Sequence, residues 1–187
     1  MAKQKPLKRT EFGNPILRAS ARHLNRTEIT SQNTKKLIAD MRHTLSQLKL
    51  GVGLAAPQVG QSIALAVIAV RPTEHRPKVE RFDRVLINPV IVKSFGRKTQ
   101  MWEGCISAGA HRAGLFAKVP RYRKVEVKYI DENGRKKTEI FEGLVAQVAQ
   151  HEIDHLQGVL FVDKIKDTTS YMTYKEYLKM VKKTKND

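Results

Sequence analysis

Two histidines four residues apart, with a glutamate beside the first, form the segment His151-Glu152-Ile153-Asp154-His155. Residues spaced by four lie on one face of a helix, so both imidazoles can aim at a single metal ion. Glu152 is placed to reach a metal-bound water without itself ligating. A divalent ion lowers the pKa of such a water toward neutrality, and a carboxylate can take up and return its proton. The chemistry suggested is hydrolysis. The plainer reading is two surface histidines beside an acid. Against it, Leu144, Val145, Val148 and Ala149 precede the segment, and Leu156, Val159, Leu160 and Phe161 follow. That apolar context predicts a buried helix.

A third ligand must come from elsewhere. One class of zinc endopeptidases continues the pattern with a glycine and a further histidine. Here Gly158 matches, but Phe161 occupies the histidine's place and cannot bind a metal. Another class uses a glutamate on a later helix. Glu176, the only downstream glutamate, sits in basic surroundings near the C-terminus. Cys105 is the better candidate, since a thiolate suits borderline-soft divalent metals and a coordinated thiol is deprotonated. A lone cysteine is otherwise an ordinary small core residue.

Three segments taken together resemble peptide deformylases. They are Gly51-Val52-Gly53-Leu54-Ala55-Ala56-Pro57-Gln58, Glu103-Gly104-Cys105-Ile106-Ser107, and Gln150-His151-Glu152-Ile153-Asp154-His155-Leu156-Gln157-Gly158, in the family's order. The resemblance spans roughly residues 12 to 166 and begins with a segment like Asn14-Pro15-Ile16-Leu17-Arg18. It implies removal of the formyl group from the formyl-methionine of new polypeptides, with release of formate. Cys105, His151 and His155 would be the ligands of one divalent ion, Fe2+ in cells, with Zn2+, Ni2+ or Co2+ able to fill the site in a purified sample. Glu152 would be the general acid and base. The Gln58 amide and the Ile106 backbone N–H would stabilise the oxyanion. Gly53 and Gly104 would pair through their backbones with the extended substrate. Val52, Leu54, Leu144, Gln147 and Val148 complete the expected substrate-binding set. Glu103 and Asp154 are expected as carboxylates supporting the ligands, with Arg121 a partner for one of them.

Two features depart from the family pattern. The stretch Ile106 to Val119 is longer than usual and carries His111, a conceivable extra ligand but more simply an exposed loop residue. Gln147 stands one turn before His151, where the family places an apolar residue facing the methionine pocket. Buried without a partner, an amide there would cost about 1–3 kcal/mol. The expectation is a wetter pocket or a side chain turned away, and with it a broader tolerance at the first residue of the substrate. Deformylation of formyl-Met, formyl-Leu and formyl-Gln peptides compares the cases.

The elements that must position these groups follow from periodicity and punctuation. A helix is predicted between Thr27 and Leu50, with Thr30, Ser31 and Asn33 as candidate N-caps and Gly51 at its end. The Gly51–Gln58 segment suits neither a helix interior nor a long strand. Ser62 to Arg71 and Val85 to Val92 read as strands, Pro89 placing the second at an edge or a bulge. Lys124 to Ile130 alternates as a half-buried strand, turns at Asp131-Glu132-Asn133-Gly134, and returns over Arg135 to Glu142 as a hairpin. Gly143 to Leu156 is the helix carrying the chemistry, closed by Gly158. In the basic tail Tyr174, Tyr177, Leu178 and Val181 fall at helical spacing. The expected class is α+β, antiparallel strands packed around a buried helix that carries the His-Glu-x-x-His pattern. One catalytic domain over 1–187 is expected, with its core at about 12–166 and a basic tail at about 167–187.

Composition bounds the rest. The chain has 187 residues, 41% hydrophobic and 28% charged, the balance of a globular protein. Its 35 Lys and Arg against 18 Asp and Glu give a net charge of +17. Such a surplus favours a polyanionic partner. A deformylase would gain from ribosome contact through Lys175, Lys179, Lys182, Lys183 and Lys185, with Lys3, Lys5, Lys8 and Arg9 at the other end. A solvated basic surface is the plainer account. The longest apolar run, Ile63 to Val70, is too short to span a bilayer. A cytoplasmic monomer with no membrane association is expected. Two rivals remain: a metallopeptidase cleaving internal bonds, and a non-catalytic RNA-binding protein with a structural metal.

Overall fold

The computed structural model describes residues 6–48, 51–73, 76–109 and 114–183. A short helix α1 (Arg26–Ile29) leads into α2 (Gln32–Ser46), and Ser31 caps α2 by accepting from Thr34 N–H. The remaining elements are β1 (Gly53–Ala55), β2 (Leu65–Val70), β3 (Phe82–Phe95), β4 (Thr99–Gly104), β5 (Leu115–Arg121), β6 (Lys124–Ile130), β7 (Lys136–Glu142), α3 (Gly143–Leu156), β8 (Met172–Thr173) and α4 (Tyr174–Lys183). All strand pairs are antiparallel. They form one sheet in the order β1-β2-β3-β6-β7 and a second in the order β4-β5-β8. The α+β expectation holds.

The five-stranded sheet lies between the two long helices. Because side chains alternate across a strand, Leu65 and Val67 of β2 join Ile38, Met41 and Leu45 of α2. Ile68 and Val70 face the other way, toward Ala146, Val148, Ala149 and Ile153 of α3. Burying each large aliphatic side chain contributes roughly 1.5–3 kcal/mol, so both faces are firmly held. Pro89 does fall at a bulge. The β3–β6 register shifts between Ile87 and Val90, which takes the proline's missing N–H out of the ladder. Beside it Asn88 adopts φ 50° and clasps Leu24, accepting from its N–H at 2.9 Å and donating to its carbonyl at 2.8 Å.

The three-stranded sheet was not foreseen. Its β4 runs straight into Cys105, and its inner face packs Ala117 and Val119 with Cys105 and Phe161. The segment predicted between helix and strand is the three-residue β1 followed by a 3-10 turn, Ala56–Val59. The tail helix is found at α4. Helix α2 ends at Ser46 with Gln47 as its C-cap, short of the predicted stop at Gly51, and His111, Lys3, Lys5 and Lys185 lie outside the described residues.

Candidate metal centre and active site

Helix α3 and strand β4 meet along their length. Gln147, His151 and His155, each four residues on from the last, present one helical face to Trp102, Glu103 and Cys105 in turn. Gln147 Nε2 donates to the Trp102 carbonyl at 2.8 Å. His151 Nδ1 lies 3.1 Å from Glu103 Oε2. His155 Nε2 lies 3.2 Å from Cys105 Sγ. Ligand atoms of Cys105, His151 and His155 all come within 4.8 Å of one another. Donors that each stand about 2.0–2.3 Å from a shared ion must converge in this way. The set fits a divalent metal: with His151 Nδ1 engaged by Glu103, its Nε2 is left for an ion, as ligating histidines commonly are arranged.

The electrostatics favour the ligating form of the sulfur. Burial would raise the Cys105 thiol, but His155 and His151 beside it hold it well below its ordinary range. Ser107 N–H also reaches the sulfur at 3.4 Å. Burial pushes the Glu152 carboxyl up to about 7, against the lowering effect of the two histidines. Its Oε2 is buried with no hydrogen-bond partner. Gly53 explains how the carboxylate fits: a Cβ there would stand 2.2 Å from Glu152 Oε1. A missing side chain in β1 makes room for the acid of α3.

Glu103 is held by more than His151. Burial would raise it, yet the His151 and Arg121 hydrogen bonds keep it at about 2. Arg121, at the inner end of β5, donates Nε to Glu103 Oε1 at 2.7 Å and Nη2 to Oε2 at 3.0 Å. Its Nη1 donates to Asp154 Oδ2 at 2.5 Å, and Lys164 Nζ reaches Asp154 Oδ1 at 2.7 Å. Arg121 thus serves both acids, not the one expected. Gln150 fastens α3 to the β5–β6 connection, accepting from Tyr122 N–H at 3.1 Å and donating to its carbonyl at 2.8 Å.

Gln58 is buried and oriented. Its Oε1 accepts from Ala55 N–H at 2.8 Å, which fixes the amide so that Nε2 lies 3.4 Å from both Cys105 Sγ and Ser107 Oγ. Ile106 follows Cys105 directly, half-buried, with its carbonyl accepting from Arg9 Nη1 at 3.3 Å. Val52 and Leu144 pack partly buried against the α3-facing core, and Val148 is buried within it. Leu54 differs: its side chain belongs to the core under α2, so only its main chain is left for a ligand. Gln147 is turned toward Trp102, the second of the two outcomes foreseen. Glu176 is exposed on α4 and pairs with Lys179, away from the sulfur and the imidazoles. Ser107 and Lys164 were not singled out from sequence. Ser107 adjoins Cys105 within a conspicuous motif, whereas nothing near Lys164 marks it.

Edges complete the geometry. Strand β1 ends one sheet and β4 ends the other, and the two glycines, Gly53 and Gly104, lie one on each.

Known proteins share this arrangement of sequence and fold. A family model described as polypeptide deformylase matches residues 7–171. A protein of Nostoc sp. named peptide deformylase 2 is 36% identical over 174 residues, covering 92% of this chain and 93% of its own. A peptide deformylase of Roseiflexus castenholzii is 45% identical over 150 residues, 76% of this chain and 78% of the relative. Among solved structures, a Met-Ala-Ser-bound class I type b peptide deformylase from Acinetobacter baumannii superposes with a TM-score of 0.80 at 32% identity, covering 87% of this chain and 100% of that one.

Proposed function

We propose, from the premise that the chain belongs to the peptide deformylase family, that it removes the N-formyl group from the formyl-methionine of nascent polypeptides and releases formate. The convergence of Cys105, His151 and His155 beside buried Glu152 carries this reading. In it these three side chains hold one divalent ion, Fe2+ in the cell, with Zn2+, Ni2+ or Co2+ equally compatible with two imidazoles and a thiolate. Such an ion supplies a Lewis acid and makes water nucleophilic at neutral pH.

The chain's own groups do the rest. Glu152 Oε2 takes a proton from the attacking water and passes it to the departing amine nitrogen. A carboxyl poised near neutrality suits both transfers. Gln58 Nε2, held by the Ala55 contact, donates to the formyl oxygen as negative charge develops on it, and Ile106 N–H donates beside it. Glu103 and Arg121 keep the His151 ring in its ligating orientation. The peptide lies extended between β1 and β4 and pairs with the main chain at Gly53 and Gly104. Val52, Leu144 and Val148 flank its first side chain, with Gln147 turned aside to the Trp102 carbonyl, while Leu54 contributes main chain only.

The protein acts as a cytoplasmic monomer in this reading, and no helix among the described residues is long and apolar enough to cross a membrane. Ribosome contact draws support from α4. Tyr174 and Tyr177 lie against Phe116, leaving Lys175, Lys179, Lys182 and Lys183 exposed. Deleting the chain after Tyr171 should lower co-sedimentation with ribosomes at low salt; unchanged sedimentation discards that contact.

The deciding experiment is formate release from a formyl-Met peptide by protein prepared anaerobically, with metal analysis of the same sample. Cys105→Ala should lose both ion and activity. Metal-loaded protein that releases no formate rejects the function, and cleavage of internal bonds in unformylated peptides would assign a metallopeptidase instead.

A further inference from the structure

Along the face of α3 formed by Leu144, Gln147, Val148, His151 and His155, Gln147 is the polar residue with no part in the chemistry above. Its Nε2 donates to the Trp102 carbonyl at 2.8 Å and stands 3.5 Å from Glu103 Oε1. The first of these contacts falls on strand backbone. In an antiparallel ladder the N–H and C=O of one residue point to the same side, and successive residues alternate sides. The Trp102 carbonyl meets α3, so the even-numbered residues of β4 turn their backbone groups away from β5. The pairing agrees: Gln100 stands opposite Pro120, which has no N–H to offer. Gly104 therefore also presents its N–H and C=O along the free edge of β4.

A peptide pairing with that edge has its formyl end at Cys105 and extends toward Thr99. Past Gly104, the next outward carbonyl belongs to Trp102, and the Gln147 amide already occupies it. Resting on the function proposed above, we infer that Gln147 is a built-in end stop for main-chain recognition. It fills the hydrogen-bonding position that a longer peptide would otherwise take, so the enzyme reads backbone on β4 no further than Gly104. The substrate class this fits is formylated chains of any length and sequence beyond their first few residues.

The test compares formyl-Met-Ala-Ser with formyl-Met-Ala-Ser-Ala-Ser on the metal-loaded enzyme. Wild type should show less than a threefold difference in kcat/KM between the two. Gln147→Met keeps an unbranched stem of similar length and removes the donor. It should favour the longer peptide by about threefold to tenfold, the worth of one newly available hydrogen bond, and the gain should appear in KM. A role confined to packing would change both peptides alike and leave their ratio flat, which overturns the inference. So does a wild-type enzyme that gains more than threefold with length. Gln147→Leu, which also lacks a donor, serves if the methionine variant does not fold. Absence of formate from the shorter peptide with wild type would instead remove the proposed function itself.

Discussion

Helices α2 and α3 have 15 and 14 residues and lie on opposite faces of one sheet, yet they bury different cargo. Helix α2 buries Ile38, Met41 and Leu45 with two threonines, and its charges stay near water. Helix α3 buries Gln150, Glu152, Asp154 and His155 among its apolar residues. The same contrast separates two arginines that each hold a pair of carboxylates. Arg42 of α2 binds Asp83 and Glu132 with its side chain 34% exposed. Arg121 binds Glu103 and Asp154 at 2%. Identical chemistry has different consequences in the two places. Water screens the first pair of contacts, whereas the second must repay a desolvation penalty of several kcal/mol per ion. Such a cluster stabilises little by existing, but removing one member leaves an unpaired charge in the interior. The polar groups that α3 buries gather around the proposed metal site, whereas what α2 buries packs the core.

The sharpest break in this comparison is Glu152→Gln. It should lower deformylation by about 10²–10⁴-fold, the usual scale for a lost acid–base group, while metal analysis shows the ion retained and the unfolding midpoint barely moves. Next comes Arg121→Met, expected to lower stability by about 3–5 kcal/mol in denaturant unfolding because Glu103 and Asp154 lose their shared partner. Metal should also dissociate more readily, since His151 is oriented through Glu103. On the α2 side, Ile38→Val should remove only about 0.5–1.5 kcal/mol, and Arg42→Met less than about 1 kcal/mol. An Arg42 variant as damaging as the Arg121 variant would erase the distinction.

The smallest effect concerns pH. Glu28 in α1 is lowered from 4.5 to about 2 by its hydrogen bond with Arg22, reinforced by the Asn25 N–H. A depressed carboxylate stabilises the fold fully above its unfolded value and loses that contribution as pH falls through the folded one. Glu28→Gln should therefore be less stable than wild type by a constant margin above about pH 4.5, and in acid unfolding that margin should shrink as pH falls and vanish near 2.

These differences also explain what could be read from residues alone. The His-Glu-x-x-His helix was legible because its signal is local and periodic, and β6, β7 and α3 fall where alternation and glycine placed them. The β4–β5 pair was not. Inward positions of β5 are Ala117, Val119 and then Arg121, and a charged residue at an inward position breaks the apolar alternation that marks a strand. Arg121 could be suspected as a partner, but its service to two acids depends on a meeting of α3 with the second sheet, which no spacing encodes. Gln147 shows the same limit: its identity predicted a conflict with an apolar pocket, and only the place of the Trp102 carbonyl resolves it.

The early residues carry a final consequence. Leu7 N–H donates to Thr44 Oγ1, Thr10 N–H to the Gln58 carbonyl, and Phe12 N–H to the Ser107 carbonyl. A basic leader that looks dispensable is thus a strap, tied to α2 and then to two residues that flank the sulfur. Shortening the chain to Gly13 would leave every proposed ligand in place, yet unfasten the loops bearing Gln58 and Ser107, so the hydrophobic core could survive while the alignment of the amide is lost.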